Sequence, residues 1–166
     1  MEKEMIIPSP SGDIYAVLDT CDEAACGQRP LIIMCHGLMM NGSQNPIHGV
    51  SDSFVEAGYD TLRIDFRGSG RSSGRITEMT PLTEVADLLN VVKFAASYCG
   101  IASGASSEKT FRKIVLCGHS LGGLVSLLTA AYLSGADVPG LGKVLGKTDS
   151  MMLRPEDRAL MQSALA

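Results

Sequence analysis

Ser120 stands at the centre of Gly118-His119-Ser120-Leu121-Gly122, between the apolar run KIVLC (113–117) and the helix-like run LGGLVSLLTAAYL (121–133). A serine with glycine two residues to either side, where a strand gives way to a helix, fits the pattern G-x-S-x-G. The spacing has a physical cause. For its hydroxyl to stand clear of a sheet, the serine must occupy a sharp, strained turn, and side chains at 118 and 122 would collide within that turn. The following helix aims its unpaired N–H groups, and the positive end of its dipole, at the space in front of the hydroxyl. Such surroundings suit attack on an acyl carbon, because they hold the oxyanion that forms. The N–H of Leu121 is the expected first donor. The second is expected from HGLMMNGS (36–43), which follows LIIMC (31–35): His36 and Gly37 end that run and Leu38 offers its N–H. Met39 and Met40 are placed to line an apolar acyl pocket.

The elements that must position these groups can be read from the hydrophobic pattern. GDIYAVLDT (12–20) alternates as an early antiparallel strand would. LIIMC is a short continuous apolar run rich in isoleucine, the signature of a strand buried on both faces; TLRID (61–65) reads as the next strand and KIVLC as a third strand of the buried type. Between the first two, residues 45–57 place Ile47, Val50, Phe54 and Val55 on one predicted helical face, with Gly58 as the stop. Between the second and third, Thr80-Pro81 opens a helix whose Leu82, Val85, Leu89, Val92 and Ala96 form one stripe. A third helix follows Ser120 and stops at Gly135. Loops are expected at CDEAACGQRP (21–30), FRGSGRSSGR (66–75) and SYCGIASGASSEKT (97–110). Strand, helix, strand, helix, strand, helix, joined by right-handed crossovers, predicts a three-layer α/β/α sandwich around a mostly parallel sheet.

Bulk properties narrow the function classes. The chain has 166 residues, 45% hydrophobic and 19% charged, with a net charge of −4. Mild acidity argues against nucleic acid or an anionic membrane as the main partner. No run is long and apolar enough for a transmembrane helix, and MEKEMIIPSP lacks the features of a signal peptide. The five cysteines are scattered without a C-x-x-C pair, and Cys21 and Cys26 have no second pair to complete a zinc site, so no metal is expected. Reduced thiols in a cytoplasmic protein are the simplest account, with Cys35 and Cys117 as small core residues. Gly68-x-Gly70-x-x-x-Gly74 is no dinucleotide loop, because it follows a later strand and does not open a helix.

Taken together, IIMCHGLMMNGS, DTLRIDFRGSGRSSG and IVLCGHSLGGLVSLL, in this order and spacing, resemble the N-terminal half of an α/β-hydrolase. They are most similar to the esterase, acylglycerol-lipase and serine-aminopeptidase-like branch. The resemblance covers roughly residues 12–134 of a single domain, with 135–166 as a divergent tail. It implies a carboxylic-ester hydrolase that needs no cofactor, in which Ser120 is the nucleophile and Leu38 and Leu121 supply the oxyanion hole. It implies that His36 and Gly37 shape the oxyanion loop and that Gly118, His119 and Gly122 frame the serine. The Asp65–Gly74 segment would pack beside the active site, Asp65 organising it by hydrogen bonds. The substrate would be a small ester or acyl compound.

One part of the family pattern is missing. The family's order is serine, then acid, then histidine. The chain's histidines are His36, His48 and His119, so none follows Ser120. The later acids Asp137, Asp149, Glu156 and Asp157 follow no convincing strand. Gly135, Pro139, Gly140, Gly142 and Gly146 argue against a further central strand in GADVPGLGKVLGK (135–147), and RPEDRALMQSAL (154–165) reads as a short amphipathic helix. The expected fold is therefore a hydrolase lacking the C-terminal strands. Two functional readings follow: a serine hydrolase that is weak or inactive without its base, or a non-catalytic fragment with a binding or interaction role. In both, KIVLC becomes an exposed sheet edge, which suits a homodimer or a partner resembling the missing C-terminal half, able to supply a base in trans.

Overall fold

The three strands expected from LIIMC, TLRID and KIVLC form the parallel part of the sheet. In the computed structural model, which describes residues 1–21, 29–98, 113–146 and 155–165, they are β3 (Leu31–Cys35), β4 (Asp60–Ile64) and β5 (Ile114–Gly118). β3 pairs in parallel with both β4 and β5, in the registers Leu31 with Asp60 and Leu31 with Ile114. The alternating segment is β2 (Ile14–Asp19), antiparallel to β4. Beyond it lies β1 (Glu2–Ile7), antiparallel to β2, which the pattern reading left unassigned. The order β1-β2-β4-β3-β5 makes the sheet mixed: three parallel strands extended by an antiparallel pair.

α1 (Ile47–Glu56) joins β3 to β4, and α2 (Pro81–Tyr98) joins β4 to β5. Their positions on opposite faces follow from geometry. The chain leaves β3 in one direction along the sheet and then crosses back over it, and crossovers of one hand place the two helices on opposite sides. α1 packs over β4 and β3, burying Ile47 against Ile32 and Met34. The other face carries the main core, where Ile33, Cys35, Leu62 and Ile64 meet Val85, Leu88, Leu89, Val92 and Ala96 of α2. The Thr80 hydroxyl accepts the Thr83 N–H at 3.2 Å, so the threonine caps α2 as expected.

α3 (Leu121–Leu133) lies beside α2 over β5. It is followed by α4 (Leu141–Leu145) and α5 (Pro155–Leu165). Among the described residues no strand follows β5, in keeping with the glycines of 135–146. The tail nevertheless enters the core: Leu141, Met161 and Ala164 are fully buried on the α2–α3 side. Side chains of Arg158 and Gln162 on α5 donate to the carbonyls of Tyr132 and Leu133, the last turn of α3. Orphan carbonyls at that helix end are thereby satisfied.

The predicted face of α1 is rotated in the structure. Val50 is exposed, whereas Ser51 is buried and donates to Asp19 at 3.0 Å. A polar cluster under the helix accounts for the difference. Asp19 on β2 accepts two bonds from Arg63 on β4 and a third from Thr61. The Ser51 hydroxyl joins Arg63 Nε and Thr61 as a donor to Oδ2 of Asp19, a bond that a valine facing this buried carboxylate could not make. The expected loops at 21–30 and 97–110 fall mainly outside the described residues; Ser97 and Tyr98 belong to α2.

Candidate active site

The corner between β5 and α3 has the geometry its glycines suggest. Ser120 adopts φ 52° and ψ −118°, a region in which a residue with a β-carbon is strained. A β-carbon at Gly118 would collide with the carbonyl of Gly122, and one at Gly122 would collide with the carbonyls of Cys35 and His36. Glycine is required at both places by close approach of backbone to backbone. The His119 N–H donates to the Cys35 carbonyl at 3.0 Å, and the Ser126 hydroxyl donates to that of Gly122 at 2.7 Å. The strained turn is held from both sides.

The loop after β3 reaches the same corner. A β-carbon placed on Gly37 would lie 3.3 Å from Cβ of Ser120 and 3.1 Å from Nδ1 of His119, so the two segments touch. The Met40 N–H donates to the Gly37 carbonyl at 3.2 Å, closing a turn that leaves Leu38 59% and Met39 77% exposed. Met39 takes φ 58°; it and Ser120 are the positive-φ residues other than glycine among those described. The N–H groups of Leu38 and Leu121 have no protein acceptor among the described residues. The Ser120 side chain is exposed and likewise has no hydrogen-bond partner there.

His36 is fully buried with both ring nitrogens engaged. Its Nδ1–H donates to the Gly37 carbonyl at 2.8 Å, and Nε2 accepts the Phe66 N–H at 2.9 Å. Burial lowers its pKa, outweighing the bond to Gly37 and the charge of Asp65, so the ring is neutral. It fastens the loop after β3 to the loop after β4 and has no free nitrogen for Ser120. Neither His48 nor His119 is hydrogen-bonded to the Ser120 hydroxyl. His48 lies on α1 and bonds Asp52 at 3.0 Å, and His119 is exposed beside Gly37.

Asp65 ties the same two loops by its carboxylate. Oδ1 accepts the Gly42 N–H at 2.7 Å and Oδ2 accepts the Arg71 N–H at 2.8 Å. The segment after β4 is held at its start by Arg67, whose guanidinium grips Asp87 of α2. The sequence reading passed over this pair. Its signal is an aspartate in the stretch LTEVADLLNVV, where nearly every neighbour is apolar and buried. Glu84, one turn earlier, is also fully buried, and its carboxyl has no hydrogen-bond partner among the described residues. Burial, helped by the charge of Asp87, pushes its pKa up to about 7.

The two cysteines near this corner offer no alternative to the serine. Burial pushes the Cys35 thiol up to about 12 and raises that of Cys117, so neither is a ready nucleophile. No group of three or more His, Cys, Asp or Glu side chains is arranged for a metal ion among the described residues. No helix described is long and apolar enough to cross a membrane.

A profile of the "Serine aminopeptidase, S33" family matches residues 27–141. A monoacylglycerol lipase of Mycolicibacterium smegmatis is 33% identical over 113 residues, which is 68% of this chain and 34% of that one. Among solved structures, Est1E of Butyrivibrio proteoclasticus with ferulic acid bound superposes with a TM-score of 0.65 at 30% identity. That match covers 77% of this chain and 47% of Est1E. XC6422 of Xanthomonas campestris, an α/β serine hydrolase without a lid, shares the fold with a TM-score of 0.63 at 23% identity, over 80% of this chain and 57% of that one. The chain spans about a third of the length of the curated relatives it matches and about half that of the solved structures.

Proposed function

The chain belongs to the serine aminopeptidase S33 family of α/β-hydrolases, and from that premise we propose that it carries the nucleophile half of a carboxylic-ester hydrolase, with Ser120 as the attacking residue. The observation that carries this reading is the strained φ of Ser120 on a corner that touches the Gly37 loop. In the proposed reaction the Ser120 oxygen adds to the acyl carbon and its proton passes to solvent. The N–H groups of Leu38 and Leu121 hold the oxyanion. The alcohol leaves with a proton from water, and a second water releases the acid from the serine. The esterase and lipase among the similar proteins support an ester as substrate. A cytoplasmic location is part of the proposal and rests on the unbridged thiols of Cys35 and Cys117.

The chain's own base is the weak point. All three histidines are described, and none is hydrogen-bonded to the Ser120 hydroxyl. A serine hydroxyl without an adjacent base is a poor nucleophile. These 166 residues alone are therefore proposed to react slowly. This same observation favours a second reading, in which the corner persists in a non-catalytic chain with a binding role.

Labelling with a fluorophosphonate probe tests the first reading and separates the two. A reactive Ser120 gives slow covalent labelling that Ser120→Ala abolishes. Its rate climbs with hydroxide concentration and lacks the plateau that a histidine base would impose near neutrality. If Ser120 stays unlabelled at high probe concentration and pH, the hydrolase reading fails and the binding reading stands.

A further inference from the structure

The loop after β3 is pinned at both of its ends to residues at the end of β4. Its start is held by the bond between His36 and Phe66. Its far end is held at Gly42, by the two residues that flank Ile64. The Gly42 N–H donates to Oδ1 of Asp65 at 2.7 Å, and the Gly42 carbonyl accepts from Nη1 of Arg63 at 3.0 Å. A β-carbon on Gly42 would lie 3.1 Å from the Ile64 carbonyl and 3.3 Å from Cβ of Arg63, so the loop backbone rests on the strand. Between the two anchors stand residues 37–41, Leu38 among them.

Arg63 is 3% exposed, and its aim is set from behind. Asp19 accepts from Nε on Oδ2 at 2.6 Å and from Nη2 on Oδ1 at 3.0 Å, a two-pronged pair. Glu2 accepts from Nη2 as well, at 2.8 Å. Asp19 is itself held by the hydroxyls of Ser51 on α1 and Thr61 on β4. Burial acts to raise the Asp19 pKa, but the bonds from Arg63 outweigh it and hold the carboxyl below its usual range, so the pair stays charged. Gripped along one edge, a planar guanidinium has a fixed direction for its remaining nitrogen. A buried ion pair adds little net stability over well-packed apolar residues of like size. What this pair supplies that apolar residues could not is a directed donor for the Gly42 carbonyl. β4 is flanked on both sides by strands of this chain, β2 and β3, and every partner of Arg63 named here lies within the described residues.

Resting on the reading of Ser120 as nucleophile and Leu38 as oxyanion donor, we propose that Arg63, aimed by Asp19, is a positioning residue for the reaction: by holding the Gly42 carbonyl it sets where the loop carries the Leu38 N–H relative to Ser120. Arg63 touches no reacting atom and acts through the loop backbone alone.

Removing Arg63 alone would strand the buried Asp19 charge, so the test replaces both, Asp19→Leu together with Arg63→Met. Near-UV circular dichroism and thermal unfolding check that the full chain is folded. Amide hydrogen exchange, resolved by residue with NMR, then reads the loop without reference to activity. The N–H groups of Met40 and Gly42 are expected to exchange roughly tenfold faster or more, with the amides of β3 unchanged. Saturation kinetics with a fluorophosphonate probe separate reaction from binding. The maximal rate of Ser120 labelling should fall on the order of tenfold while the half-saturating concentration holds. Arg63→Lys is the second variant, which keeps the charge but replaces the fork with a single nitrogen. It should loosen the loop and slow labelling in the same direction. Unchanged exchange at Met40 and Gly42 in the folded variants overturns the proposal, and so does faster exchange that leaves the maximal labelling rate at its wild-type value. Full rescue by lysine overturns it too, since charge balance alone would then suffice. A wild-type chain that is never labelled overturns the hydrolase reading instead, and exchange at Gly42 still decides whether Arg63 holds the loop.

Discussion

Phe66 donates its backbone N–H to Nε2 of His36 at 2.9 Å, across 30 residues of sequence, and the other nitrogen of that ring is already committed to Gly37. The histidine beside the candidate nucleophile is thus a strut between two loops. Its neutral tautomer is the only form that can accept from Phe66.

That bond makes the fold sensitive to acid. The His36 pKa is lowered in the folded chain, so below the ordinary value of 6.5 the unfolded chain binds more protons. Stability from this residue is present above pH 6.5 and falls as pH drops below it. Urea midpoints measured between pH 7.5 and 5 should decline, and His36→Ala should flatten that decline. At pH 7.5 the variant should lose about 1–3 kcal/mol from the stranded Phe66 N–H, apart from any cavity cost.

Glu84 acts in the opposite sense. With its pKa raised from 4.5 to about 7, the folded chain holds a proton that the unfolded chain releases. Its stabilising state is present below pH 4.5 and is lost as pH rises through about 7. Glu84→Gln, which mimics the protonated acid, should stabilise the chain at pH 8.5 by on the order of 2 kcal/mol and by little at pH 4.5. Equal gains at both values in chemical denaturation would show that the carboxyl is not held neutral.

Much of this scaffold was legible from the pattern. The apolar runs LIIMC and KIVLC, with TLRID between them, located the parallel strands, and Thr80-Pro81 located the start of α2. β1 was not legible, because EKEMII exposes most of its side chains and owes its place to pairing with β2. The face of α1 was misjudged because Ser51 is buried for its hydroxyl, which no hydrophobic stripe can reveal. At the candidate site, Gly118, Ser120 and Gly122 were readable from local spacing. The Arg67–Asp87 clamp was not, since its partners meet only through tertiary packing.

Ser120 should reveal its backbone strain in a paired comparison. Ser120→Ala and Ser120→Gly both remove the hydroxyl, but only glycine relaxes φ 52°. Guanidinium unfolding should find the glycine variant more stable than the alanine one by about 1 kcal/mol, the relief exceeding the entropy glycine adds to the unfolded chain. The reverse order would mean the turn is unstrained.

Gly122 and Gly142 should respond oppositely to the same substitution. Gly122→Ala pushes a methyl group into the Cys35 and His36 carbonyls and should cost about 3 kcal/mol or more, read from thermal unfolding. Gly142, in α4, has open space around it, so Gly142→Ala should be neutral or stabilising by up to about 1 kcal/mol.

The intimacy of Gly122 with the end of β3 also bears on motion. With α3 seated directly on the Cys35 and His36 carbonyls, helix and strand have no room to slide independently. Ser120 and the loop beginning at Gly37 are in effect welded to one joint. Thermal jostling carries them together, so their alignment is established once, as the chain folds, and need not be found again each time a molecule arrives.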